Sequence, residues 1–160
     1  MIKILGLILV SGAVSAYGAY LSSQIRTANI LRTEISDFLK HLYNGVKYTA
    51  TSRERLFSGF SAKNLEKCGF LNILRLKNFS KQDFDESLYL LTAEEKNRLY
   101  DFFTNFGRSG FCDKEALFCL EYREYFDDRI KSLKNQDDIR SVLYKKLGII
   151  AALLTAIIFI

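Results

Sequence analysis

Apolar residues run unbroken near both ends of the chain and recur at helical spacing between them. Ile4 to Leu21 carries no charge and is rich in Gly, Ala and Ser. As a helix its eighteen residues reach about 27 Å. From Leu147 to Ile160 there is again no charge, and one hydroxyl, Thr155. That tail reaches about 21 Å, against ~30 Å for the hydrocarbon core of a bilayer. Starting it at Val142 gives about 28 Å and takes in Lys145 and Lys146. Their stems can lie along lipid with the ammonium groups at the headgroups. The pattern predicts a transmembrane helix over residues 1–23 and a second over 147–160, beginning near 142 on the longer reading, with Lys145 and Lys146 at the membrane interface. The small residues of the first run allow close helix–helix approach in lipid. A buried core helix is the alternative for the tail. A secretory signal, with Val14-Ser15-Ala16 as cleavage site, is the alternative for the first run.

Residues 24–146 read as a helical domain. Leu31, Ile35, Phe38, Leu39, Leu42 and Val46 form one buried stripe, which Asn44-Gly45 ends. Thr51-Ser52-Arg53-Glu54 has the form of a capping box opening a short helix with Leu56, Phe57 and Phe60. Gly69 punctuates, and Phe70, Leu71, Ile73, Leu74 and Leu76 form the next apolar group. Asn78 to Glu86 reads as a polar loop interrupted by Phe79 and Phe84. Thr92-Ala93-Glu94-Glu95 is a second capping box; its helix buries Leu99, Phe102, Phe103 and Phe106 and stops at Gly107. Asp113 is an N-cap candidate for a stripe through Ala116, Cys119, Leu120, Phe126, Ile130 and Leu133. The polar run Asn135 to Asp138 is either an exposed helical turn or a break. No stretch alternates with period two, so the fold class expected is all-α: a cytoplasmic helical bundle flanked by an N-terminal and a C-terminal transmembrane helix.

Charge adds an orientation. The net charge is +5. Residues 24–81 hold eleven Lys or Arg against four Asp or Glu, residues 82–128 five against twelve, and residues 129–146 six against two. Arg26, Arg32 and Lys40 follow the first apolar run, and six basic residues from Arg129 to Lys146 precede the second. The positive-inside rule then places the middle of the chain in the cytoplasm and favours an uncleaved first span. Two basic blocks around an acidic one can orient docking, or simply solvate helix faces. Cys68, Cys112 and Cys119 form no CxxC pair, which points to no disulfide framework and no zinc site; Cys119 falls on an apolar stripe as a small buried hydrophobe.

The residues of catalysis are missing. His41 is the sole histidine and reads as a solvated helix residue, which leaves no second imidazole for a triad. There is no HExxH, GxGxxG or Walker A pattern. Glu94/Glu95 and Asp127/Asp128 are sequence neighbours that point to different helix faces, so neither makes an acid/base dyad. Phe102, Phe103, Phe106, Phe111 and Phe118 read as core. The basic segments lack interleaved stacking aromatics, so nucleic acid is not an expected partner. The reading is of a protein that is not an enzyme and carries no cofactor, no metal and no catalytic residue.

Three stretches resemble the stage III sporulation protein AB family. They are Tyr144-Lys145-Lys146-Leu147-Gly148 with its apolar tail, Leu99 to Asp113 with Phe106-Gly107 before a short Ser/Asp loop, and Val46-Lys47-Tyr48-Thr49-Ala50-Thr51. The chain departs from the family at Asn44-Gly45-Val46 and Ala50-Thr51, in the insertion Gly110-Phe111-Cys112, and at Leu117, where glutamine is common. The resemblance implies a membrane protein of endospore formation, on the mother-cell side of the membrane around the forespore. It further implies a non-catalytic platform in a secretion-like or channel complex, whose cytoplasmic domain is similar to the inner-membrane platform of type II secretion and type IV pilus systems. The implied partners are a hexameric ATPase, stage III sporulation protein AA, other stage III sporulation membrane proteins, and the bilayer. Arg53, Arg55, Lys63, Lys67, Arg108 and Asp113 are the residues expected to face the ATPase. A membrane-remodelling or pore-forming protein with a regulatory helical domain is the alternative; the scarcity of polar groups in either run argues against a pore wall.

Overall fold

The computed structural model describes residues 2–49, 52–76, 79–108 and 112–159; for residues 2–9, 11, 155, 156, 158 and 159 it describes the backbone alone. The described residues form helices and connecting turns, and no strand, in keeping with the all-α expectation. In chain order the helices are α1 (Ile2–Asn44), α2 (Arg53–Ser58), α3 (Lys63–Lys67), α4 (Phe70–Arg75), α5 (Lys81–Ser87), α6 (Ala93–Asn105) and α7 (Cys112–Phe159), with a π-helical turn Gly45–Thr49 after α1. The chain divides into two units. One comprises Met1–Thr27 with Ser132–Ile160, the other Ala28–Lys131.

In the Ala28–Lys131 unit the stripe expected on α1 is the spine of the core. Leu31, Ile35, Phe38, Leu39 and Leu42 are all buried, and Val46 is half-buried beside them. Phe103 of α6 sits at the centre of the aromatic packing. Its ring lies 5.7 Å from Phe38 of α1, 5.8 Å from Phe57 of α2, 5.6 Å from Phe70 of α4 and 4.9 Å from Phe102. Three of these contacts are edge-to-face, the arrangement the ring quadrupoles favour. Short helices α2, α4 and α5 could not hold alone; each brings one or two large rings to this shared core.

The helix ends explain the boundaries. Thr92 caps α6 as read from sequence, its hydroxyl accepting from the Glu95 N–H while the Glu95 carboxylate accepts from the Thr92 N–H. Gly107 follows with φ of 85°, a left-handed conformation that suits glycine. Gly69 likewise takes φ of 79° between α3 and α4.

Other expectations need correction. The segment read as a polar loop from Asn78 to Glu86 contains α5, whose Ser80 and Asp83 form a full capping box and whose Phe84 is completely buried. Of the box expected at Thr51 to Glu54, Thr51 lies outside the described residues; Ser52 is the N-cap of α2 and makes no side-chain cap bond. Asp113 stands inside the first turn of α7 and does not cap it. Leu76, grouped with the α4 core residues, is exposed. His41 is half-buried, with Nε2 3.2 Å from the Leu56 carbonyl and its ring against Phe60. Phe111 lies outside the described residues. Helix α7 runs through Asn135 to Asp138 without a break.

In the other unit, the first part of α1 and the last part of α7 run antiparallel along a seam of small residues. Gly18 meets Gly148 so closely that a Cβ on Gly18 would lie 2.7 Å from the Tyr144 carbonyl and 2.9 Å from the Gly148 Cα. Ser22 and Ser141 share a buried hydrogen bond of 2.7 Å between hydroxyls. The spacings 18–22 and 141–148 put these residues on one face of each helix. This is the close approach that the Gly, Ala and Ser content of the first run predicts.

Candidate docking surface

The six residues expected to face a partner fall into distinct settings. Arg53 opens α2 and turns inward. Its Nη2 donates to the Phe103 carbonyl at 3.1 Å and its Nη1 to the Phe106 carbonyl at 3.3 Å. Phe103 lies in the last turn of α6 and Phe106 is its C-cap, where carbonyls lack helical partners and the helix dipole is negative. The guanidinium also lies 5.1 Å over the Phe57 ring. Burial lowers the pKa of Arg53 below the ordinary arginine value; Glu54 opposes the shift and the nearby charge of Arg108 adds to it. Arg53 is therefore mainly a helix-capping residue.

Arg108 is exposed just past α6, with Nη1 3.3 Å from the Asn105 amide oxygen. Next to it, the Glu115 carboxylate of α7 accepts from the Gly107 N–H at 3.0 Å. Asp113 is exposed in the first turn of α7, where a carboxylate is favoured by the dipole. The structure thus gathers Arg53, Arg108 and Glu115 around the end of α6. Arg55 of α2 and Lys63 and Lys67 of α3 are exposed, and their side chains make no hydrogen bond or ion pair among the described residues.

Helix α3 owes its position to a residue that sequence reasoning missed. Its N-cap, Ala62, offers no side chain to the first turn. Instead Glu34 of α1 accepts from the Asn64 N–H at 3.0 Å, the Leu65 N–H at 2.9 Å and the Asn64 side-chain amide at 2.6 Å. A carboxylate from another helix thereby satisfies the orphan donors and presents Lys63 and Lys67 at the surface. Nothing local in the sequence announces this cap.

A second unrecognised feature is a buried ionic cluster. Glu95, fully buried, accepts from Arg32 Nε at 2.7 Å and has Arg129 Nε at 3.6 Å. This ties α1, α6 and α7 together through one carboxylate that also caps α6. Burial alone would raise the pKa of Glu95; the Arg32 and Thr92 hydrogen bonds and the Arg32 charge outweigh it, and the net shift is downward. The signal available was Arg32 itself, a charge placed on the apolar stripe beside Leu31 and Ile35.

Arg75, at the end of α4, shares a groove of about 590 Å³ with Arg53, Glu54, Arg55, Phe57, Ser58, Leu74 and Leu76. Among the described residues no group of three or more His, Cys, Asp or Glu side chains is arranged to hold a metal ion.

On α7, Lys145 and Lys146 are exposed, as are Leu147, Ile150, Leu153, Leu154 and Ile157. Among the described residues no helix is long and apolar enough to cross a membrane. The two apolar runs of the sequence extend into residues 4–9, 11, 155, 156 and 158–160, whose side chains lie outside the description.

No curated protein and no solved structure matches this chain. One family model, that of stage III sporulation protein AB, matches residues 3–160, nearly the full length. The chain accordingly belongs to the stage III sporulation protein AB family and is a protein of sporulation.

Proposed function

We propose that this protein is a non-catalytic membrane platform of a sporulation secretion-like complex, whose Ala28–Lys131 unit seats a cytoplasmic hexameric ATPase of the stage III sporulation protein AA type. The family membership motivates the reading, together with the resemblance to secretion platforms. One observation carries the membrane part. Along the α1–α7 seam Gly148 and Ala152 are covered, while Ile149, Ile150, Leu153, Leu154 and Ile157 of the same helix are each about half exposed or more. A continuous apolar surface of this kind calls for a cover, and lipid supplies one without a protein partner. Gly18, Ser22, Ser141 and Gly148 then pair the two helix ends as small residues do within bilayers. Exposed Tyr17 and Tyr20 with Lys145 and Lys146 suit the headgroup layer.

The docking part rests on Arg55, Lys63, Lys67 and Arg108, with Asp113 in the first turn of α7; Arg53 is committed to α6. On this reading the bundle sits on the mother-cell side of the membrane around the forespore, alongside other stage III membrane proteins. Full-length protein in nanodiscs, mixed with the ATPase, tests it. Lys63→Glu, Lys67→Glu and Arg108→Glu together are expected to weaken association at low salt and to abolish its salt dependence. Association unchanged by the triple reversal at low and high salt removes the docking surface. Release of the protein from membranes by carbonate, without detergent, removes the anchor.

A further inference from the structure

Leu76 is the one side chain common to two surface grooves of opposite charge. On one side lies the groove in which Arg53, Arg55 and Arg75 outnumber the one carboxylate, Glu54. On the other lies a groove of about 420 Å³ lined by Cys68, Ile73, Leu76, Asp83, Glu86 and Ser87. Leu76 itself is 60% exposed at the junction. The side chains of Arg55 and Arg75 have no ionic or hydrogen-bond partner among the described residues. Among the described residues Glu86 accepts a neutral amide, from Gln82 at 3.0 Å, and Asp83 accepts from Ser80, and neither carboxylate has an ion-pair partner there. The Asp83 pKa is held low by its bonds to Ser80, which keeps it ionised at neutral pH.

A surface with a basic flank, an apolar centre and an acidic flank is complementary to itself. A two-fold axis through the centre exchanges the flanks, so each basic groove meets the acidic groove of its mate. We propose that this face is an isologous interface between two copies of the chain. Leu76 packs near the axis against its symmetry mate, and Arg75 of each copy pairs with Glu86 of the other, with Arg55 and Asp83 flanking. A like-charged docking partner would meet one flank favourably and the other with repulsion, whereas a second copy satisfies both. Arg55 is the one residue shared with the ATPase-docking surface; the pairing of Arg75 with Glu86 uses none of Lys63, Lys67 and Arg108, so variants at 75 and 86 test the inference separately from ATPase docking.

The test is the mass of the full-length protein in contrast-matched detergent by sedimentation. The wild-type chain is expected to form dimers. Arg75→Glu and Glu86→Arg are each expected to weaken self-association at least about tenfold, since each places like charges opposite one another twice. Mixed one to one, the two variants are expected to form a heterodimer, because both contacts then become opposite-charge pairs. That rescue also shows that each variant is folded. A wild-type chain that stays monomeric overturns the proposal. So do single variants that dimerise like wild type, or variants with wild-type helical content that do not rescue each other.

Discussion

Gly18 and Gly148 hold the first part of α1 and the last part of α7 in backbone contact: a Cβ on Gly148 would come within 3.1 Å of the Gly18 Cα, and one on Gly18 closer still to Gly148. The seam therefore tolerates no side chain at Gly18. Gly18→Leu is expected to destabilise the pairing by about 1–3 kcal/mol, the usual cost of overpacking; Gly148→Ala should cost less. Ser22→Cys with Ser141→Cys reads this directly. The two hydroxyls sit 2.7 Å apart, so the cysteines should form a disulfide in the Gly18 protein. Cross-linking that proceeds equally well with Gly18→Leu contradicts the close seam.

Glu95 is the most sensitive charge in the Ala28–Lys131 unit. Glu95→Gln removes the carboxylate that buried Arg32 pairs with at 2.7 Å and should cost about 3–5 kcal/mol in urea unfolding. Combining Glu95→Leu with Arg32→Met should recover most of that loss, because the desolvated pair disappears as a whole.

The same carboxylate gives the unit a pH dependence. Its folded pKa lies below the unfolded value, so its stabilisation is present above the unfolded carboxylate pKa. It is lost as pH falls through the folded pKa. Stability measured from neutral pH into the acid range should decline more steeply for wild type than for the Glu95→Leu, Arg32→Met double variant. Parallel curves refute the assignment.

Arg53→Ala is expected to lower stability by about 1–3 kcal/mol, since two carbonyls at the end of α6 lose their charged donor. Arg53→Lys should recover only part, because an ammonium cannot reproduce the planar fork. ATPase association of Arg53→Lys should match wild type once the folded fraction is equal. A selective loss of association at full folding would instead make Arg53 a contact residue.

The three thiols should differ in reactivity. Cys112 is exposed, Cys68 half-buried with its pKa raised chiefly by burial, and Cys119 buried with its thiol pushed up to about 12 by burial, Glu115 adding to it. A small disulfide reagent at mild alkaline pH should label Cys112 first, Cys68 slowly and Cys119 only on unfolding. Labelling of Cys119 at the rate of Cys112 would contradict the packing around Phe126.

What the sequence reveals here is mostly periodic. The α1 stripe from Leu31 to Leu42 and the Thr92 capping box follow from spacing alone, because each is decided within a few turns of one helix. The small-residue face of α1 was equally visible at Gly18 and Ser22. Helix α5 was legible but missed: Ser80-Lys81-Gln82-Asp83 carries the box signature, yet the polar composition around it suggested a loop. The start of α2 reads one residue early from spacing, since Ser52 is its N-cap, and Arg53 reaches carbonyls fifty positions away that no local pattern encodes. Glu34 capping α3 and Arg32 meeting Glu95 depend on partners distant in sequence, and no local pattern encodes such meetings. The candidate surface was legible only as a charge excess; that Arg53 is spent internally while Arg75 stands free requires the fold.

The bond between Ser22 and Ser141 joins residues 119 positions apart. Closing so long a loop is thermodynamically cheap, each doubling of length adding only about 0.6 kcal/mol. The order of synthesis is the sharper constraint. The bundle draws on α7 as far as Lys131, so it completes only when that helix has emerged from the ribosome, and Gly148 emerges later still. The glycine face of α1 is thus made well before the helix segment that covers it.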